Sequence, residues 1–430
     1  MSGNAVSGIG RNESILGLER VTELLSLMGD PQDKLHIIHV AGTNGKGSVS
    51  AMLSSVLKRS SYRVGSFNSP ALTGVRDGFR IDNETVEQGR LDAVLEYIRP
   101  IAEGMSDKPT EFEVLAAAAF GLFVCEKCDI AVIECGLGGD GDATNAISSP
   151  ALSIITNVQL DHTDRLGKTT KEIAAHKAGI IKRGSPVLFG GRDEDAFAVI
   201  KKRAEELDAR LVRTDLSRLR VINETLEGTD IEFSGMGSFR LGLIGEYQPE
   251  NAATVLTAVE MLRDEGFVIP DGAVGRGLAE AVWPGRFEIV CRSPLVIYDG
   301  AHNPDGVEKA AASIRKLFGG LKPVLLMGVM RDKEYALYPD ILKGLASMIF
   351  TVRPDSTRAL DAETLAECFA GRGFAAKACV NMKEAVEASC IFSQKHGVPI
   401  IAMGTLYMYN EFMEAFKSAA DKIGKDGRKK

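Results

Sequence analysis

Between Leu35 and Lys58 the chain reads LHIIHVAGTNGKGSVSAMLSSVLK, and these residue types suit one kind of chemistry, the grip on a phosphate. Gly42, Gly45 and Gly47 let backbone N–H groups approach phosphate oxygens that a side chain would hold off. Thr43 and Asn44 lie inside the turn, Lys46 can reach terminal phosphates, and Ser48 offers a hydroxyl to Mg²⁺. The usual nucleoside-triphosphate loop is G-x-x-x-x-G-K-[ST]. Here Val40 stands where the first glycine would fall, leaving G-x-x-G-K-G-S. The expectation is ATP held by residues 42–48. Other capable residues follow apolar runs. Glu134 ends DIAVIE before GLGGDG, Asp161, His162 and Asp164 follow another run, and Asp299 and His302 a third. Carboxylates at such strand ends lie at the edge where open α/β sheets bind ligands. Glu134 is therefore a candidate Mg²⁺ ligand, oxygen being what a hard cation takes, and His162 is a candidate beside it. Ser69 and Arg76 sit in a Gly/Pro-bearing loop, and Lys177 lies mid-helix, where most lysines are solvated. Arg286 follows Trp283-Pro284-Gly285, and its planar fork suits a phosphate. Thr405 follows the last apolar run.

The elements that must position these groups alternate. Strands are expected at Ile37–Val40, Tyr62–Phe67, Asp129–Glu134, Ala151–Val158, Ser185–Gly190 and Arg210–Arg213. Helices are expected at Ile15–Met28, from Lys46 onward, at Thr85–Ile101, from Thr110 to Cys125, at Lys171–Ile181 and at Asp195–Leu207. Thr110-x-x-Glu113 is a capping-box start. This alternation predicts an α/β fold, a parallel sheet covered on both faces. Asn68–Asp82 reads as a surface loop, and Arg218–Leu243 as a small antiparallel flap of short, glycine-interrupted strands. A helix over Tyr247–Leu262 carries Gln248 and Asn251. Strands at Leu295–Tyr298, Val324–Val329, Met348–Val352, Lys377–Val380 and Pro399–Met403 then predict a Rossmann-like second domain without a phosphate loop, the substrate cleft lying between the two. The boundary is set at about Arg292, giving domains 1–292 and 293–430.

Composition narrows the class. The chain has 430 residues, 45% hydrophobic and 25% charged, within the ordinary range for globular proteins. A net charge of −7 without a basic stripe weighs against nucleic acid as a partner. The basic tail Lys422–Lys430 reads as a solvated terminus, and polar, glycine-rich Met1–Glu13 does not read as a signal peptide, so none is expected. The longest apolar run, Val114 to Cys125, is too short for a membrane span. Seven scattered cysteines suit a reducing cytoplasm. The lone Cys125-x-x-Cys128, with Cys135 beyond it, lacks the partners of a zinc site and reads as packing at a helix end.

Assembled, these segments resemble the folylpolyglutamate synthase/dihydrofolate synthase group of the Mur ligase family. The resemblance rests on nine pieces in order: GTNGKGS (Gly42–Ser48), NSPAL (Asn68–Leu72), TEFE (Thr110–Glu113), ECGLGG…DATN (Glu134–Asn145), LDHTDRLG (Leu160–Gly167), HKAGI (His176–Ile180), YQPENA (Tyr247–Ala252), WPGRFE (Trp283–Glu288) and DGAHNP (Asp299–Pro304). It implies an ATP-dependent ligase that phosphorylates a pteroate or folate carboxylate and then joins L-glutamate to it. It also implies Mg²⁺ held by Ser69, Glu134 and His162, with a carbamylated Lys177 as a further ligand, and leaves room for a monovalent cation such as K⁺. Asn251, Arg286 and Asp299 resemble ATP contacts, while His302 and Thr405 resemble residues around the ATP and glutamate sites. Phe112 and Asp142 resemble pterin-pocket residues. Lys46, Lys177 and His302 are then the groups nearest the chemistry, in a cytoplasmic monomer.

Three positions depart from the family's usual pattern. Ala71 stands where a histidine follows the proline, Asp140-Gly141 where an arginine follows GLGG, and Tyr247 where a histidine precedes Gln248. Replacing a cation by Asp140 should disfavour an added carboxylate by Coulomb repulsion, so long polyglutamate chains are expected to be poorer substrates than dihydropteroate or a monoglutamate. Two readings stay open beside this one. A Mur-type ligase for another carboxylate would share the ATP site, and a nucleotide-binding switch would share only the loop.

Overall fold

The computed structural model describes residues 9–11 and 15–426, with side chains described as far as residue 419. Most of Met1–Glu13 and the side chains of Lys422–Lys430 lie outside that set. The chain forms two units. The first takes in residues up to 223, 229–242 and 248–282, and the second takes in 224–228, 243–247 and residues from 283 onward.

In chain order the first unit contains α1 (Glu19–Leu27), β1 (His36–Ala41), α2 (Lys46–Arg59), β2 (Val64–Phe67), β3 (Phe79–Ile81), β4 (Glu84–Thr85), α3 (Gln88–Gly104), α4 (Glu111–Cys125) and β5 (Ile130–Glu134). It continues with β6 (Leu152–Ile155), α5 (Thr170–Ala178), β7 (Val187–Phe189), α6 (Glu194–Glu206) and β8 (Leu211–Arg213). The ribbon β9 (Leu219–Thr225), β10 (Gly228–Phe233) and β11 (Gly237–Leu241) follows, with residues 224–228 counted in the second unit, then α7 (Gln248–Asp264) and α8 (Asp271–Glu280).

The main sheet has the order β4-β3-β2-β5-β1-β6-β7-β8. From β2 to β8 every pairing is parallel, and β3 and β4 add an antiparallel edge. β1, β5 and β6 are buried on both faces because helices cover them, which is why they read as unbroken apolar runs. One core lies on the side of α1, α3 and α4, with Leu24, Ile98, Phe120 and Phe123 fully covered. Another gathers Ile173, Ile180, Phe189 and Ile200 between the sheet and α5 and α6. The predicted capping box starts α4: Thr110 Oγ1 accepts from Glu113 N at 3.2 Å, and Glu113 Oε2 accepts from Thr110 N at 2.6 Å. Buried Glu113 is also paired with Arg20 at 2.8 Å, tying α1 to α4.

The stretch Asn68–Asp82 is not all loop. Phe79–Ile81 pairs antiparallel with β2, and Glu84–Thr85 pairs with Phe79–Ile81, so the following helix begins at Gln88 and not at Thr85. Strands of two or three residues are too short for an alternating pattern to declare them. The flap is the three-stranded antiparallel ribbon β11-β10-β9.

The second unit holds β12 (Glu288–Arg292), β13 (Leu295–Asp299), α9 (Pro304–Phe318), β14 (Val324–Met327), α10 (Tyr338–Ile341), β15 (Met348–Thr351), α11 (Ala362–Ala370), β16 (Ala376–Ala378), α12 (Met382–His396), β17 (Ile400–Met403) and α13 (Tyr409–Asp426). Its sheet runs β12-β13-β17-β14-β15-β16, parallel except for β12. Arg292 is therefore not a boundary. Residues 288–292 are an edge strand hydrogen-bonded to β13, and the chain last passes from the first unit to the second between Val282 and Trp283. All seven cysteines are free; Cys125 is exposed at the end of α4 and Cys128 is buried just beyond it. No described helix is long and apolar enough to cross a membrane.

Candidate active site

In the first unit the register aligns several expected residues at one sheet edge. Val40 pairs with Glu134, Phe67 with Ile133 and Ala41 with Ile155. The carboxyl ends of β2, β5, β1 and β6 thus deliver Asn68–Ser69, Glu134, the phosphate loop and Thr156–Asn157 side by side.

The loop is held from the β6 end. Thr43 N donates to Asn157 O at 3.1 Å, Asn44 N to Asn157 Oδ1 at 2.9 Å, and Thr156 Oγ1 to Asn44 O at 2.6 Å. Gly42 and Gly45 have φ of +153° and +83°; a Cβ would sit 1.9 Å from Thr156 Oγ1 at the first and 2.5 Å from Asn251 Oδ1 at the second. Lys46 Nζ donates to Gly42 O (3.0 Å) and Thr43 O (3.2 Å), lying along its own loop. Ser48 is buried at the start of α2, and Gln248 Nε2 reaches its Oγ at 3.3 Å. Asn251 Nδ2 in turn donates to Gln248 Oε1 at 3.0 Å. Sequence reasoning gave Gln248 no role, yet its spacing from Asn251, three residues on one helix face, was the available signal.

Glu134 is 4% exposed and accepts from Asn68 Nδ2 at 2.9 Å. Ser69, half-buried, directly follows Asn68, whereas Ala71 and Arg76 are exposed. His162 sits past β6 with φ +50°; its N–H donates to Asp161 Oδ1 at 2.9 Å, and its carbonyl accepts from Arg165 and Leu166 N. Among the described residues no three His, Cys, Asp or Glu side chains gather as a metal site. The expected set has only two such residues, Glu134 and His162. The oxygen donors Glu134, Ser48 and Ser69 at one edge nevertheless fit Mg²⁺, which binds through one or two carboxylates plus substrate phosphates and keeps several waters.

Lys177 is 3% exposed near the end of α5. Burial, and secondarily the charge of Lys46, push its pKa from 10.5 down to about 7. The 136–145 loop packs against this helix end. A Cβ on Gly139 would lie 3.1 Å from Lys177 Cα, and one on Gly179 would lie 2.3 Å from Asp140 Cβ. Asp140 N donates to His176 O at 2.9 Å, and the Asp140 carboxylate pairs with His176 Nδ1 at 2.9 Å. Asp142 is buried with both oxygens engaged: Oδ2 accepts from Leu137 N (2.7 Å), and Oδ1 accepts from Thr144 N (3.0 Å) and Thr144 Oγ1 (2.5 Å). Burial raises its pKa against those bonds. Phe112 is half-buried, its ring 6.1 Å from that of Phe67, and a Cβ on Gly136 would lie 2.5 Å from its Cζ. Beneath the loop, His39 Nε2 lies 2.9 Å from Thr144 Oγ1 and 3.1 Å from Cys135 Sγ, a buried cluster absent from the sequence expectations.

The second unit brings Arg286, Asp299, His302 and Thr405 to the carboxyl edge of its own sheet. Asp299 ends β13, is 2% exposed, and has its pKa raised by burial. His302 Nδ1 donates to Gly300 O at 2.9 Å, just ahead of α9, which Asn303 caps by accepting from Gly306 N at 2.8 Å. Thr405 is buried past β17, and its carbonyl accepts from Tyr298 OH at 2.7 Å. A Cβ on Gly300 would lie 2.3 Å from Arg286 Nη1, so the guanidinium lies along the Gly300 backbone.

This geometry has relatives. Residues 40–259 match the Mur ligase middle domain, and residues 285–406 match the Mur ligase glutamate ligase domain. The chain is 33% identical over 403 residues to the folylpolyglutamate synthase of Lacticaseibacillus casei, covering 90% of this chain and 92% of that one. It is 35% identical over 361 residues to the dihydrofolate synthase/folylpolyglutamate synthase of Bacillus subtilis, covering 81% and 84%. The crystal structure of Mycobacterium tuberculosis folylpolyglutamate synthase complexed with ADP and AMPPCP superposes with a TM-score of 0.87 at 29% identity, over 93% of this chain and 95% of that one. A phosphate loop of the G-T-N-G-K-G-S form, a carboxylate on the neighbouring strand and a buried lysine behind them are thus found in a chain that belongs to the Mur ligase family, within its folylpolyglutamate synthase/dihydrofolate synthase group.

Proposed function

We propose that this enzyme, an ATP-dependent ligase that forms amide bonds, joins L-glutamate to the free carboxylate of a pteroate or folate. The observation that carries the reading is the first unit's sheet edge, where the phosphate loop, Glu134 and the buried Lys177 belong to adjoining strands and the helix behind them. A carboxylate is a poor electrophile. Attack of its oxygen on the γ-phosphorus of ATP releases ADP and leaves an acyl phosphate. The glutamate amine then attacks the carbonyl carbon, and phosphate departs with the C–O bond electrons. Most of the catalytic work is positioning and charge neutralisation.

Lys46 and Arg286 are the cations for the phosphates, with the loop N–H groups of Gly45 to Ser48, Asn251 and Asp299 as further ATP contacts, while Thr43 and Asn44 shape the loop through their N–H bonds to Asn157. His302 donates through Nδ1 to the Gly300 carbonyl and would be the base that takes a proton from the glutamate ammonium. Lys177, near half neutral at pH 7, has the free amine that reaction with CO₂ requires, and its carbamate would carry the negative charge that a cation prefers. Ser69, Glu134, His162 and that carbamate are the residues that would hold Mg²⁺, which when bound neutralises phosphate charge. Phe112 and Asp142 would line the pterin side, and His302 and Thr405 the glutamate side. Seven free thiols suit a reducing cytoplasm, where the enzyme is proposed to act as a monomer.

The test is a product assay by mass spectrometry, with dihydropteroate and tetrahydrofolate offered in parallel with ATP and glutamate. A gain of one glutamyl unit, with ADP formed only when both acceptor and glutamate are present, is the expected result. ADP formation indifferent to both would instead mark a nucleotide-binding switch.

A further inference from the structure

Tyr247 precedes α7, belongs to the second unit, and has no part in the chemistry described so far. Its phenol donates to Asp299 Oδ2 at 2.8 Å. The same oxygen accepts from Phe287 N at 2.8 Å, and Oδ1 accepts from Ala301 N at 2.8 Å. One buried carboxylate therefore ties the Tyr247 side chain and the Phe287 backbone to its own turn at Ala301. We propose that Tyr247 is a positioning residue for ATP: it fixes Asp299, and Asp299 fixes the turn that presents Arg286.

The turn needs an anchor. Phe287 is a non-glycine residue at φ +47°, a left-handed conformation that costs free energy unless its surroundings hold it. Its N–H is held by Asp299, Gly285 N is held by Glu288 Oε2 at 2.8 Å, and Gly300 N donates to Gly285 O at 2.8 Å. Arg286 stands between two anchored residues with its guanidinium along Gly300, the neighbour of Asp299. Without the Tyr247 hydroxyl, Oδ2 keeps only the Phe287 N–H. A carboxylate at 2% exposure that has lost a donor recovers it by rotating toward water or another group, and that rotation releases Phe287 and with it Arg286. Burial lifts the Asp299 pKa and the Tyr247 bond opposes the lift, so the hydroxyl also helps keep the anchor charged.

The inference rests on the reading of Arg286 as a phosphate contact, and the experiment separates the two. Full-length Y247F, Y247H and R286A are compared with the parent enzyme in steady state, varying ATP at saturating acceptor and glutamate, and varying glutamate at saturating ATP. Thermal midpoints are measured alongside. Y247F is expected to raise KM for ATP roughly tenfold, the loss of one hydrogen bond to a charged group, with the KM for glutamate and the midpoint nearly unchanged. Y247H, whose imidazole N–H can donate to Asp299, should recover most of that loss. R286A should raise the KM for ATP at least as much as Y247F. An unchanged KM for ATP in Y247F, with R286A impaired, overturns the proposal and leaves the reading of Arg286 standing. An unchanged KM for ATP in R286A overturns that reading itself. A Y247F variant whose midpoint and both KM values move together, without rescue by Y247H, reduces Tyr247 to a packing residue and also overturns the proposal.

Discussion

His39 should make the fold sensitive to acid in a way that one substitution removes. The ring is fully buried in β1, three residues before Gly42, and burial, followed by the charge of Lys182, lowers its pKa from 6.5 to about 3. The physical cause is visible at both nitrogens. Nε2 faces Thr144 Oγ1 at 2.9 Å, whereas Nδ1 has no hydrogen-bond partner, so a second N–H would be buried without an acceptor. Below about pH 6.5 the unfolded chain takes up a proton that the folded chain refuses until about pH 3. The unfolded state therefore binds more protons, and stability falls as pH drops through that window and levels off beneath it. At pH 5 the gap between the two pKa values costs about 2 kcal/mol relative to neutral pH, a slope near 1.4 kcal/mol per pH unit.

H39Q keeps a donor for Thr144 and abolishes the titration. Urea unfolding followed by circular dichroism at pH 7.5 and pH 5.0 measures the effect, since the other titrating groups are common to both proteins. H39Q should be the less stable at pH 7.5, and its deficit should shrink by about 2 kcal/mol at pH 5.0. Imidazole nitrogen resonances should show a neutral Nε2–H ring for His39 at pH 5. A deficit equal at both pH values, or a His39 ring that titrates near pH 6.5, would refute the reasoning.

Other residues give further expectations. G45A places a Cβ at φ +83° and 2.5 Å from Asn251 Oδ1, so it should raise the KM for ATP about tenfold or more while leaving the circular dichroism spectrum unchanged. K177M should abolish ligation in the product assay, yet unfold at higher urea than the parent at neutral pH in CO₂-free buffer. The folded lysine sheds its proton above about pH 7 whereas the unfolded one keeps it to about 10.5, so its burial penalty is full below pH 7 and disappears as pH approaches 10.5. An equal or lower urea midpoint for K177M at neutral pH would contradict this. D140N removes the carboxylate charge of a half-exposed residue paired with His176, and should improve kcat/KM for a tetraglutamate several-fold more than for a monoglutamate. Efficient tetraglutamate extension by the parent enzyme would count against a repulsive Asp140.

What could be read from the sequence, and what could not, follows from the distance over which each feature is decided. Glu134 was legible because an apolar run that ends in a carboxylate before glycines is a local pattern, and the Val40–Glu134 register then puts it beside the phosphate loop. The reach of Gln248 to Ser48, 200 residues away, and of Tyr247 to Asp299, 52 away, depends on tertiary placement that no local period encodes. Lys177 lies between these cases. By helix position it reads as one more solvated lysine, and its motif alone marked it. Its low pKa comes from burial, and at that helix end two glycine-bearing segments, 138–141 and 179, pack too closely for side chains at Gly139 and Gly179. The glycines of GLGGDG and HKAGI thus do more than turn the chain: they seal the helix end over an amine. A Cβ at Gly139 or Gly179 would pry that contact open, let water reach Nζ, and return the lysine toward an ordinary ammonium.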